Sequence, residues 1–224
     1  MNRGAFVTGT DTGVGKTLVA SALIRALRRR GLVVAGYKPV AAGAECRDGK
    51  LRNDDALTLA DASGLDVPYC RVNPYCFAPA IAPHIAAADR SVVIELDIIK
   101  REFNELQRIS DAVVAEGAGG WLVPLGRDLT MADVARTLDL PVLMVVGLRL
   151  GCLNHALLTA QAIQASGVRL AGWIGSQVDP AMPRPVENLA TLDAQLDVPC
   201  LGVMGNPQHP ACADVSRPLF ADGF

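Results

Sequence analysis

Gly9-Thr10-Asp11-Thr12-Gly13-Val14-Gly15-Lys16-Thr17 follows a short apolar run and precedes an amphipathic helical pattern. A strand, a glycine-rich loop and a helix in that order make a cradle for nucleotide phosphates. Gly9, Gly13 and Gly15 let the backbone fold tightly enough for its N–H groups to converge on an anion. The helix adds the positive end of its dipole, Lys16 a point charge, and Thr17 a hydroxyl for Mg²⁺. The spacing departs from the common form. Thr10 stands where the first glycine belongs, and Gly9 lies one place earlier, with five residues before Gly15-Lys16. A glycine-rich turn without a ligand is the bland alternative, and the flanking strand and helix argue against it.

The 224 residues are half hydrophobic and one-fifth charged, with few aromatics and a net charge of −2. At this length that is the balance of a compact α/β core rather than a disordered or fibrous chain, and it provides no global basic field for nucleic acid or anionic membrane. Arg28-Arg29-Arg30 is the only basic run. It falls at the end of the first helical pattern, where cations complement the dipole. Polar residues interrupt the first apolar stretch too early for a signal peptide, and no apolar segment reaches spanning length. A cytoplasmic protein is expected. The six cysteines (46, 70, 76, 152, 200 and 212) show no Cys-x-x-Cys pair and no zinc spacing, so reduced thiols are the expectation.

Outward from the loop, apolar runs alternate with helical patterns. Strands are expected at 5–8, 32–37, 112–115, 141–147, 170–174 and 200–204, and helices at 16–30, 54–63, 97–108, 154–166 and 187–196. Alternation of this kind predicts a doubly wound, mainly parallel sheet with helices on both faces, as a single domain over 1–224. Ligands bind such sheets at the carboxyl ends of the strands. Residues 43–53 and 73–84 read as long irregular stretches.

The suggestive side chains fall at those strand ends. Glu116 closes a strand and precedes Gly117-Ala118-Gly119-Gly120, read as a turn that brings backbone close to a ligand. An acid there is placed to hold Mg²⁺. Asn53-Asp54-Asp55 opens a helix. One carboxylate serves as an N-cap and one is free for metal, and spacing does not choose between them. Lys38 follows a strand, where it suits charge on a transferring phosphoryl group; a solvated surface lysine is the alternative. Gly147–Asn154 joins a strand to a helix as a second anion site. His84 and His155 have no catalytic partner in sequence and read as surface or capping residues.

These blocks, in this order, resemble the dethiobiotin synthetase family from Phe6 to about Met204. The matching blocks are 6–12, 14–17, Gly36-Tyr37-Lys38-Pro39-Val40, Asp55-Ala56-Leu57, Val72-Asn73-Pro74-Tyr75, Pro83-His84, 116–121, 145–147, 150–152, 154–156 and 170–173. The five-residue gap in the phosphate loop is the family's own form. The resemblance implies that Mg-ATP, CO₂ and 7,8-diaminononanoate are converted to dethiobiotin, ADP and phosphate. One amine becomes a carbamate, the carbamate takes the γ-phosphoryl group, and the second amine closes the ureido ring.

By position, the resemblance places Lys16 and Lys38 on the carbamate and γ-phosphate oxygens, and Thr17, Asp55 and Glu116 around Mg²⁺. Nucleotide contacts run from Gly13 through Val14, Gly15 and Lys16 to Thr17 and Leu18, with Gly117, Ala118 and Gly119. Thr12 and Ala42 lie near the diamine. Leu150, Gly151, Cys152, Leu153 and Asn154 hold the substrate carboxylate from a partner subunit, with Asn188 nearby, so a homodimer is implied. Departures fall at the base and substrate: Ser176, followed by Gln177, replaces a family asparagine that reads the adenine edge. Gly205, before Asn206 and Pro207, stands where a proline lies beside the base. Ala42 replaces a hydroxyl residue, and Asn188 a tyrosine. A partner-switching ATPase of the partitioning type shares the loop but carries an extra lysine where this chain has Asp11 and Thr12. An amidotransferase of this lineage needs a glutaminase domain for which the chain is too short.

Overall fold

The computed structural model describes residues 3–205. Six strands form a wholly parallel sheet: β1 (Gly4–Gly9), β2 (Val34–Tyr37), β7 (Ala112–Gly120), β8 (Val142–Gly147), β9 (Leu170–Ser176) and β10 (Cys200–Met204). Their spatial order is β10-β9-β8-β1-β7-β2. Chain order therefore reverses about β1, and the loop after β1 opens at the switch point where such sheets bind ligands.

Both faces are covered because the strands alternate within continuous apolar runs. Ala5, Val7, Val114, Leu143 and Val145 face a cluster completed by Val19, Leu23, Ile24, Leu27 and Leu59 from α1 (Lys16–Arg29) and α2 (Asp54–Ser63). Phe6, Val113, Ala115, Val142, Met144 and Val146 face the larger cluster on the other side. There α5 (Leu96–Arg108), α6 (Met131–Leu138), α7 (Cys152–Ala165) and α8 (Pro185–Gln195) bring Ile99, Phe103, Leu106, Val134, Leu138, Ile163 and Leu192. Each fully buried Val, Leu, Ile, Phe or Met among them contributes about 1.5–3 kcal/mol.

The structure departs from the sequence-based expectation in four places, one of them α6 (Met131–Leu138), where no helix is expected. The stretch 43–53 holds an antiparallel hairpin, β4 (Glu45–Arg47) with β5 (Lys50–Arg52), turned by Asp48-Gly49 at φ 50° and 72°. The stretch 73–84 begins just after the short helix α3 (Tyr69–Val72). It contains β6 (Tyr75–Cys76), which pairs in parallel with β3 (Val40–Ala41), and it ends in α4 (Pro83–Asp89). Finally, β7 runs through the glycine cluster to Gly120 instead of turning after Glu116, because Gly120 still pairs with Gly9 of β1. Among the described residues no helix is long and apolar enough to cross a membrane.

Candidate active site

The phosphate loop leaves β1 at Gly9 and enters α1 at Lys16. Gly15 caps the helix in the left-handed region (φ 90°, ψ 24°), and a Cβ there would lie 2.6 Å from the Ser176 hydroxyl. The left-handed φ requires glycine, and any side chain there would also force the Ser176 hydroxyl aside. Asp11 braces the loop. One carboxylate oxygen accepts the Thr12 N–H at 2.7 Å, the other pairs with Arg149, and its carbonyl accepts the Lys16 ammonium at 2.8 Å. Burial and the Lys38 charge push Lys16 down to about 8, only partly offset by Glu116, Asp55 and Asp11. Polyanionic phosphates would reverse that shift.

Beside the loop four side chains from four elements converge. Thr17 stands on the first turn of α1, and its hydroxyl lies 2.7 Å from Asp55 Oδ1 and 3.0 Å from Glu116 Oε1. Lys38, just past β2, donates to Glu116 Oε1 at 2.6 Å, to Asp55 Oδ2 at 3.0 Å and to the Gly117 carbonyl at 3.2 Å. Lys38 is 3% exposed and Glu116 fully buried, which removes the surface-lysine alternative. Burial alone would strip the proton from Lys38, but Glu116 and Asp55 outweigh it and hold the ammonium charged. Burial raises Glu116, which Lys38 only partly opposes; Asp55 is lowered because Lys38 and Thr17 overcome its desolvation.

These oxygens fit a divalent cation. A threonine hydroxyl has one proton, so it cannot donate to Asp55 and Glu116 together. Glu116 Oε2 is buried without a hydrogen-bond partner, a costly state for a carboxylate oxygen. A hard cation accepting lone pairs from Thr17, Asp55 and Glu116 relieves both conflicts. Among the described residues no three His, Cys, Asp or Glu side chains form a metal group.

Asp55, not Asp54, joins the site. Asp54 points outward to Arg47 at 2.6 Å, and the N-cap of α2 is the Asn53 carboxamide, accepting the Ala56 N–H at 3.3 Å. No carboxylate is needed as the cap, contrary to the expectation. Thr12, Gly13 and Leu18 are exposed on the loop and first turn, while Val14 is buried beneath it. Gly117, Ala118 and Gly119 continue β7 alongside, and a Cβ on Gly119 would lie 3.5 Å from the Thr12 hydroxyl. Ala42 is half-buried, its carbonyl accepting from Asn53 at 3.3 Å.

At the β9 and β10 ends, Ser176 is buried against Gly15, and Gln177 donates its N–H to Met204 next to Gly205. Asn206 and Pro207 lie outside the described residues. In the loop before α7, Leu150 is 87% exposed and Gly151 caps the helix at φ 94°. The Cys152 side chain is buried in the core, and its N–H bonds the Arg149 carbonyl at 3.0 Å. Leu153 and Asn154 keep their place in the first turn, where helix N–H groups lack intrahelical partners. The Asn188 amide donates to the Arg184 carbonyl of its own helix at 2.8 Å. His84 is half-buried with its Nδ1 unpartnered, and His155 is exposed on the first turn of α7. Arg149, which ties the α7 loop to Asp11, was not singled out in the sequence, because the two partners lie far apart along the chain.

A family profile described as an AAA domain matches residues 3–212. The ATP-dependent dethiobiotin synthetase of Aromatoleum aromaticum is 51% identical over 215 residues, covering 96% of this chain and 94% of that protein. That of Chromohalobacter salexigens is 50% identical, covering 89% and 88%. Among solved structures, the MinC:MinD cell division complex of Aquifex aeolicus aligns with TM-score 0.55 at 16% identity, over 96% of this chain and 86% of that one. The septum site-determining protein MinD of Pyrococcus horikoshii, complexed with Mg-ADP, gives 0.54 at 16% identity, over 98% and 87%. At that identity the likeness is one of P-loop fold alone. The half-identical relatives, matched along nearly their whole length, decide the family: the chain belongs to the ATP-dependent dethiobiotin synthetases.

Proposed function

We propose that this chain closes the ureido ring of dethiobiotin in biotin biosynthesis, from 7,8-diaminononanoate, CO₂ and ATP with Mg²⁺. The observation that carries the reading is the meeting of Lys38 with Thr17, Asp55 and Glu116 beside the phosphate loop. The loop N–H groups and the α1 N-terminus bind the triphosphate, and Lys16, poised near neutrality, regains full charge against it. Mg²⁺, held by Thr17, Asp55 and Glu116, would neutralise charge on the phosphate oxygens.

Lys38 then has a carboxylate-lined pocket on one side and the reacting oxygens on the other. An ammonium kept charged by two acids stabilises both the carbamate and the phosphoryl group it attacks. The carbamate oxygen displaces ADP from the γ-phosphorus. The second amine attacks the carbamoyl carbon, and phosphate leaves with the electrons of the C–O bond. Thr12 and Ala42 border the diamine, and Leu153 and Asn154 offer N–H groups to its carboxylate from a partner subunit. A cytoplasmic homodimer is the form this requires.

Phosphate release tests the reading. It should depend on both diamine and bicarbonate, with dethiobiotin appearing in equal amount. ATP hydrolysis indifferent to the diamine would overturn it in favour of a nucleotide switch.

A further inference from the structure

Lys38 is followed by Pro39, which has no N–H, and β2 stops at Tyr37. The Lys38 carbonyl therefore leaves the sheet ladder while its side chain must hold a fixed place among three oxygens. A buried carbonyl in that position needs a donor from elsewhere. Asn73, 2% exposed, supplies it: its Nδ2 donates to the Lys38 carbonyl at 2.7 Å and to the Tyr75 carbonyl at 3.1 Å. Its Oδ1 accepts the Tyr69 hydroxyl at 3.0 Å.

Tyr69 passes the connection on. Its oxygen accepts the N–H of Asn53 at 2.8 Å, and Asn53 is the N-cap of α2, two residues before Asp55. The Arg52 guanidinium covers the Tyr69 ring at 4.2 Å. Lys38 N–H in turn bonds the Val72 carbonyl at 2.8 Å, beside Asn73. Three hydrogen bonds thus run from the Lys38 main chain to the start of the helix that carries Asp55. Asn73 uses both amide hydrogens and its oxygen, a combination that only a carboxamide offers.

We infer that Asn73 and Tyr69 are positioning residues for the ligase reaction. They fix the Lys38 ammonium and the Asp55 carboxylate relative to each other, without touching either side chain. The inference rests on the reading of Lys38 and Asp55 in the proposed function. None of the relay's hydrogen bonds reaches the phosphate loop, so nucleotide binding without metal should change little when the relay is cut.

Three variants test this: Tyr69→Phe, Asn73→Asp and Asn73→Ala. Asn73→Asp keeps the shape and the acceptor for Tyr69, but places a second acceptor against two carbonyls. Measured on folded protein below each melting midpoint, kcat should fall about tenfold or more in all three. Nucleotide affinity in EDTA should stay within about twofold of the parent, and the gain in affinity on adding Mg²⁺ should shrink as Asp55 shifts. The Tyr69→Phe/Asn73→Ala double variant should be no slower than Asn73→Ala, since both break one relay.

A lowered melting midpoint with kcat and the Mg²⁺ gain both at parent values would overturn the inference and leave a structural role only. If the Asn73 variants do not fold, Tyr69→Phe decides by the same two readouts. A parent enzyme with no diamine-dependent phosphate release would instead overturn the proposed function, and the Mg²⁺ gain would then judge the relay by itself.

Discussion

Lys38 and Glu116 bury opposite charges in contact, and neither is affordable without the other. Glu116 is fully buried, and among the described residues Lys38 is its only cationic hydrogen-bond partner. Removing one member of such a pair costs about 3–5 kcal/mol, because the remaining charge is left uncompensated. Lys38→Met should therefore lower unfolding free energy by about that amount in urea titrations, as well as abolishing turnover. Lys38→Met/Glu116→Gln should recover most of the stability and none of the activity. A stable single variant would show that the pair is hydrated.

Ser176 poses the question of the base at the same scale. Its hydroxyl is buried against Gly15 and it has no carboxamide to pair with an adenine edge. Turnover with ATP, GTP and CTP at matched concentrations should differ by less than about a hundredfold, or near 2.7 kcal/mol. A larger preference for ATP over both would refute this.

Among the elements, the long helices and the buried strands were legible because their periodicity is strong and their caps are local. The short ones were not. The hairpin of β4 and β5 is signalled only by Asp48-Gly49 between polar residues, the two-residue turn whose φ values are both positive. In α6, a helix of eight residues, the signal was Thr130-x-x-Asp133 before an apolar run. The Asp133 carboxylate accepts both the N–H and the hydroxyl of Thr130 at 2.7 Å. The Lys38 cluster was legible residue by residue, but its partners were not, since contact between β2, α2 and β7 is set by strand order.

Asp133 also gives a pH dependence. Burial would raise it, but the Thr130 bonds and Arg136 outweigh that and lower it from 3.8. A lowered carboxylate stabilises the fold fully above its unfolded pKa and loses that stabilisation as pH falls through the folded one. Asp133→Ala should cost about 1 kcal/mol at neutral pH. The difference from the parent should narrow below pH 3.8 for as long as the fold persists. A gap that stays constant into acid would assign the loss to packing.

At the scale of the whole molecule, one apolar stripe is incompletely covered. Leu150, Leu153, Leu157 and Leu158 recur at helical spacing across the start of α7, where Leu150 is 87% and Leu158 57% exposed. The inner two pack against the main core from its edge. A stripe that runs from the core into solvent next to a helix N-terminus suits a second copy of this chain. If the proposed homodimer closes on this stripe, Leu158→Asp should shift the sedimenting species from dimer to monomer, and a parent that sediments as a monomer would overturn that dimer.

Mixing two inactive variants distinguishes a shared site from two separate ones. Lys38→Met destroys the reacting end. Gly151→Val strains the α7 loop, because φ is 94° there, yet a Cβ would meet nothing within 4 Å. If each loop serves the partner's site, a mixed dimer retains one site with Lys38 intact and an unstrained loop opposite it. Random re-pairing of equal amounts should then restore about a quarter of the parental activity. If each loop serves its own subunit, every site in the mixture carries one lesion and activity stays at zero. Recovery that appears only after subunits are allowed to exchange would place the substrate carboxylate across the interface.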